Sequence, residues 1–150
     1  MKVVLQRVKT AQVGIEGRVV ASINRGLLLF LGVSEQDNEK EAILLANKVF
    51  NLRIFEDAND KMNLSIKDVQ GEILVVSQFT LYGDCSHGRR PSFIHAANPV
   101  LAEKLYLYFV TELQKNITVK TGVFRACMDV SLINDGPVTF VISSEELSHT

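Results

Sequence analysis

Between residues 2 and 34 the chain carries three strand-like segments joined by turns of only two or three residues. Val3-Val4-Leu5 runs on into Gln12-Val13-Gly14-Ile15, and Glu16-Gly17 reverses the chain into Arg18-Val19-Val20-Ala21. Asn24-Arg25-Gly26 turns it again, into residues 27–33. A parallel connection needs about a dozen residues or more, so these strands must pair antiparallel. The unbroken apolar character of residues 27–33 predicts a strand buried on both faces.

The rest of the chain supplies helices and further strands. Asp37 or Asn38 can cap a helix, with Glu39 and Glu41 complementing its dipole and Ala42, Leu45, Ala46 and Val49 on one apolar face. A second helix opens on Asn98 and Pro99 and places Leu101, Leu105, Tyr108 and Phe109 on one side. Residues 51–55, 73–76 and 119–124 read as strands, with a polar turn at 57–60. Met128, Val130 and Leu132 alternate with Asp129, Ser131 and Ile133, one set for each face of a strand. Pro137 cannot donate to a ladder, so Asp135-Gly136-Pro137 reads as a corner before a last strand at 138–142. The expected fold is α+β: a single domain over 1–150 with a mostly antiparallel, barrel-like sheet and two main helices.

Composition narrows the function. A chain of 150 residues, 47% hydrophobic and 22% charged, can bury about 70% of its unfolded surface and is globular. Its apolar runs are far shorter than the ~20 residues of a membrane span, and the start lacks a signal peptide's apolar core. Cys85 and Cys127 have neither CxxC nor zinc spacing and suit a reducing compartment, so a cytoplasmic setting is expected, with no membrane partner. The net charge of −1 excludes nucleic-acid affinity through a general excess of Lys and Arg. Any RNA contact needs a local patch: His87, Arg89 and Arg90 in one loop, or the alternating Lys2, Arg7 and Lys9 of the first strand. A plain solvated surface accounts for the same charges.

No GxSxG, Walker A, GxGxxG or HExxH segment occurs. The three histidines are His87, His95 and His149; His95 reads as a structural residue and His149 abuts the terminus. The carboxylates show no paired spacing. Side-chain acid–base catalysis, a metal site and a cofactor site all lack support here.

Other phrases do carry chemistry. Ser77-Gln78-Phe79-Thr80-Leu81 and Asn134-Asp135-Gly136-Pro137-Val138-Thr139-Phe140 stand in this order, with Leu5-Gln6-Arg7-Val8, Arg53-Ile54-Phe55 and Arg90-Pro91-Ser92-Phe93 around them. Together they resemble the D-aminoacyl-tRNA deacylases, in the branch with a Gly-Pro dipeptide and the SQFTL phrase. The resemblance implies hydrolysis of the ester between a D-amino acid, or glycine, and the terminal adenosine of tRNA. Such an ester is already activated, so orientation and backbone donors aimed at the oxyanion can replace a triad. It also implies that Gly136 and Pro137 form a cis corner whose carbonyl oxygens exclude an L-residue's Cβ. That corner would enter the pocket of a partner subunit in a homodimer.

By the same resemblance Ser77, Gln78, Phe79 and Thr80 line the reacting end. The N–H groups of Phe79 and Thr80 would hold the substrate carbonyl. Thr80 is a nucleophile or, on the reading preferred for want of a nearby base, a positioner of substrate or water. Phe79 walls the adenine or simply packs. Arg7 would brace the corner, Thr139 fix it, and Met128 and Ala126 line the pocket unless they are plain core. The run Phe124-Arg125-Ala126-Cys127-Met128 departs from the family, which has a small residue at 125 and an acid or amide at 127. The competing expectation is a dimeric nucleic-acid-binding protein of the same fold without turnover. No DNA partner is expected of the deacylase.

Overall fold

A computed structural model describes residues 1–149. Strand β1 (Lys2–Ile15) is the stave on which the rest is hung. Its C-terminal half pairs antiparallel with β2 (Arg18–Ile23), and its N-terminal half with β3 (Gly26–Gly32). After β3 come α1 (Glu39–Asn51), a small antiparallel hairpin of β4 (Arg53–Glu56) and β5 (Met62–Ser65), and β6 (Glu72–Ser77). Helix α2 (Pro99–Gln114) leads to β7 (Val119–Thr121), long β8 (Asp129–Ser143) returns along β1, and a short α3 (Ser144–Ser148) closes the chain.

The sheet runs β2-β1-β3-β6-β7, with β8 also on β1. Lys120 Nζ on β7 donates to the Ser22 carbonyl on β2 at 2.8 Å, so the curled sheet nearly meets itself as a barrel. The β1–β2 pairing is antiparallel, as the two-residue turn at Glu16-Gly17 requires. The expected second turn at Asn24-Arg25-Gly26 does not reverse the chain: β2 and β3 follow one another along the same edge of β1, both antiparallel to it. β3–β6 and β6–β7 are parallel, because the connections carrying α1 and α2 are long enough to act as crossovers. The sheet is therefore mixed. Strand β7 stops at Thr121 rather than residue 124, and the expected corner at 135–137 does not begin a new strand: β8 runs through it.

Strand β3 is buried on both sides, as its apolar run predicts. Leu27, Leu29 and Leu31 meet Leu5, Val75, Leu45 and Phe109 in the layer under the helices. Leu28 faces the other way, toward Val8, Val13, Leu74 and Val76, with Met128, Val130 and Leu132 packed against that set. Each such leucine contributes ~1.5–3 kcal/mol of burial. Asn38, rather than Asp37, caps α1: its Oδ1 accepts from Lys40 N at 2.9 Å, while Glu41 Oε2 accepts from Asn38 N at 2.8 Å. Asp37 instead accepts from Ser34 N at 2.6 Å. Among the described residues no helix is long and apolar enough to cross a membrane.

Gly26 permits the parallel β3–β6 approach. A Cβ built there would lie 1.8 Å from the Glu72 carbonyl oxygen, which is main chain and cannot swing away. Gly26→Ala is expected to cost about 3 kcal/mol or more, or to abolish folding. A urea midpoint equal to that of the parent protein would contradict this packing.

Candidate active site

The parallel strands β3 and β6 end together, and a cavity of about 670 Å³ opens beyond them. Ser77, Gln78 and Phe79 line one side; Ala126, Cys127 and Met128 line the other. Gln78 N extends the ladder by donating to Leu31 O at 2.8 Å, and the chain then tightens into a 3₁₀ turn over Phe79–Tyr82. The segment expected to leave as a strand end is thus a turn from Phe79 on. Gln78 gives this turn no side-chain cap, and the Phe79 and Thr80 N–H groups have no acceptor among the described residues. The Gln78 amide Nε2 donates to Thr80 Oγ1 at 2.5 Å. Thr80 is exposed, and Phe79, 55% exposed, meets Phe93 edge-on with ring centroids 5.0 Å apart.

The opposite wall is tied to β6. Gly122 N and the Tyr106 hydroxyl both donate to Val75 O, each at 3.1 Å. Burial pushes the Tyr106 hydroxyl up to about 12, so it remains a neutral donor. Phe124 packs on the Tyr106 ring at 5.8 Å, and Ala126 N donates to Val123 O at 3.2 Å. Between them Arg125 takes a left-handed φ of 65°.

A second constellation surrounds Arg7. Gln6 pairs with Thr139 and Val8 with Asn134, so residues 135–138 bulge out of the ladder opposite Arg7. The Gly136–Pro137 bond in this bulge is cis, and both residues are exposed. Asn134 ties off the base: Oδ1 accepts from Val138 N at 2.7 Å, and Nδ2 donates to Thr139 Oγ1 at 3.0 Å. Arg7 is only 3% exposed. Its Nε donates to Asp135 O at 3.0 Å, and its Nη1 donates to Ile54 O at 2.8 Å and Glu56 Oε2 at 2.7 Å. The Arg7 hydrogen bond is the largest of the causes that hold the Glu56 carboxyl below its ordinary value.

One chain does not unite the two constellations. Ser77 is level with Leu31 and so with Val3, whereas Arg7 is level with Leu27. Four strand residues, roughly 13 Å, separate them. The cavity gathers Ser77, Gln78, Phe79, Ala126 and Met128, with Thr80 beside it. Gly136, Pro137, Arg7 and Thr139 form the separate corner. His87, Arg89 and Arg90 lie exposed in a loop closed by paired main chain at Asp84 and Ser92. The alternating basic set on β1 is not a surface patch: Arg7 keeps the inward parity of Val3 and Leu5, while the bulges between Gln6 and Thr10 shift the parity after it, burying Val8 and exposing Lys9. His95 is exposed and lies 3.8 Å from Glu35, not packed as a structural residue. Phe93 and Phe124, both in the cavity lining, were not singled out from sequence. The phrase ending in Phe93 drew notice, but its contact with Phe79 is a matter of tertiary folding.

The family model described as D-Tyr-tRNA(Tyr) deacylase matches residues 4–143. The chain belongs to this family. It is 58% identical to the D-aminoacyl-tRNA deacylase of Desulfatibacillum aliphaticivorans over 97% of this chain and 100% of that one. It is 52% identical to the deacylase of Thermosipho melanesiensis over 98% and 99%. Among solved structures, a c-Myc DNA Unwinding Element Binding Protein shares 41% identity with a TM-score of 0.91, covering 95% of this chain and 98% of that one. A probable eukaryotic D-amino acid tRNA deacylase superposes with a TM-score of 0.80 at 17% identity, over 94% and 98%, a likeness of fold alone. As a family member the chain is a D-aminoacyl-tRNA deacylase, a hydrolase of carboxylic esters.

Two stability predictions come from the deacylase's buried guanidinium. Arg7→Met strands the carbonyls of Ile54 and Asp135 and is expected to cost about 3 kcal/mol in urea unfolding. For Glu56 the lowered carboxyl sets the sign. Its contribution is whole above the ordinary value of 4.5 and fades as pH falls through the lower folded value. Glu56→Gln should therefore lower the urea midpoint at neutral pH, and the difference from the parent should vanish in strong acid. A difference that persists unchanged in acid would show that the ion pair is not its source.

Proposed function

We propose that the protein is a homodimeric editing hydrolase that frees D-amino acids, and glycine, from the 3′ end of tRNA and rejects L-aminoacyl esters through the Gly136-Pro137 corner. The observation that carries this reading is the pair of uncapped N–H groups at Phe79 and Thr80 beside an apolar cavity. The ester carbonyl sits on these donors. Water adds to it, the developing oxyanion is held by the two N–H groups, and the ribose 3′-oxygen leaves and takes up a proton. The neighbouring ribose hydroxyl positions the water. Thr80 acts as a positioner: its Oγ1 accepts a hydrogen bond from an amide, which does nothing to draw off its own proton.

Selection between enantiomers is assigned to main chain, so it is indifferent to side-chain identity. In one chain the corner stands away from the cavity, so the reading requires that a second copy bring its Gly136 and Pro137 to the first copy's pocket. The outer edge of β8, with Phe140 and Val141 exposed, offers a surface for that pairing. Exposed free thiols at Cys85 and Cys127 fit a reducing cytoplasm. The name of the 41% identical DNA Unwinding Element Binding Protein favours a second reading, nucleic-acid binding without turnover.

Purified protein is expected to release amino acid from D-Tyr-tRNA at least about a hundredfold faster than from L-Tyr-tRNA. Equal rates would remove the chirality filter, and no release alongside tight DNA binding would favour the second reading. Thr80→Ala should keep kcat within about tenfold of the parent, whereas loss to background would make Thr80 the nucleophile. Gly136→Ala places a methyl 2.7 Å from Val138 Cγ2 and 3.0 Å from Val138 N at a φ of 141°. Discrimination against the L-ester should therefore degrade, and unchanged kinetics with D-, L- and glycyl esters would count against the corner's role.

A further inference from the structure

Among the described residues Arg125 is the one charged side chain lining the cavity. It is exposed, and it makes no hydrogen bond or ion pair with any described residue. Its φ of 65° lies in the left-handed region, which residues with a Cβ populate sparsely. The turn that carries it is anchored at Gly122 to β6 and at Phe124 to Tyr106, so its backbone is fixed at the rim of the cavity that Ser77, Gln78 and Phe79 also line. A strained backbone presenting an unpaired cation at a pocket calls for a ligand that repays both.

The chemistry of an aminoacylated RNA end decides which part of it that is. The amino acid's carboxyl is consumed in the ester, and its free amine is cationic. Arg125 therefore repels the aminoacyl part. The anionic groups begin one step away, at the phosphodiester on the 5′ side of the terminal adenosine. A guanidinium fits that group in a bidentate manner. The protein's net charge of −1 provides no broad attraction for RNA, which raises the weight of a single well-placed cation. We infer that Arg125 binds this last phosphodiester and makes the site prefer esters of RNA over esters of a lone nucleoside. The inference rests on the reading of the cavity as the pocket for the RNA end.

The test compares a D-aminoacylated CCA trinucleotide with D-aminoacyl-adenosine, which has no phosphate, on the parent protein and on Arg125→Ala, Arg125→Lys and Arg125→Gly. Arg125→Ala should raise KM for the trinucleotide about tenfold, a loss at least five times larger than its loss on D-aminoacyl-adenosine. The salt dependence of log(kcat/KM) on the trinucleotide should flatten by about 0.7. Arg125→Lys should recover part of the loss. Arg125→Gly relieves the left-handed backbone, so it should melt at the same or a higher temperature while losing the RNA preference, which separates binding from folding. Equal losses on both substrates, or an unchanged salt slope, would overturn the inference. If the parent hydrolyses neither ester, the ester-hydrolase reading fails by itself, and binding of uncharged CCA decides for Arg125. About tenfold weaker binding by Arg125→Ala then supports its role, and an equal Kd rejects it.

Discussion

A buried guanidinium fixes the geometry of this protein. Arg7 sits where β1, the β4–β5 hairpin and β8 converge, nearly out of water. A charge in such a place is costly unless each side of it is bonded. The acceptors here come from different parts of the chain: the Ile54 carbonyl, the Glu56 carboxylate and the Asp135 carbonyl. None of these elements can shift without abandoning the cation. Asn134 completes the arrangement by bonding both main-chain groups of Val138, which closes the base of the bulge. The exposed Gly136 and Pro137 therefore stand on a rigid pedestal although they pack against little themselves.

The cavity has a different origin. It opens where the sheet is parallel, beyond the carboxyl ends of β3 and β6, the place where strands running in one direction leave room outside their ends. The uncapped 3₁₀ turn supplies donors, and the 122–128 turn supplies an apolar wall and one cation. Pocket and pedestal are built by different rules and lie at different levels of β1. The dimeric reading follows from that separation more than from any single residue.

Much of this was legible in the chain. The Glu16-Gly17 turn dictated the antiparallel pairing of β1 with β2, and the apolar run of β3 forecast burial on both faces, whereas Asn24-Arg25-Gly26 suggested a reversal that the chain does not make. The alternation of Met128, Val130 and Leu132 marked the inner face of β8, and Asn98 with Pro99 marked the start of α2. The parallel pairs were missed because a long connection permits either direction, and nothing local chooses between them. Burial of Arg7 follows the alternation begun by Val3 and Leu5, but the burial of Val8 and the exposure of Lys9 do not, because alternation breaks at a bulge, and a bulge is a relation between two strands, not a property of one. The tightening of residues 79–82 into a turn was hidden for a similar reason. Phe79 and Thr80 suit a strand by propensity, but the strand's neighbour, β3, ends at Gly32 and leaves the chain nothing to pair with.

The protrusion at residues 135–138 also acts on β8 mechanically. In an uninterrupted strand, adding or losing one residue turns every later side chain to the wrong face. Here residues 129–134 and 139–143 each hold their own registration on β1. Because the two stretches are registered separately, the number of residues in the protrusion can differ without turning either stretch's side chains to the wrong face. The protrusion works as a splice: what it carries can be altered while the stave on either side stays true.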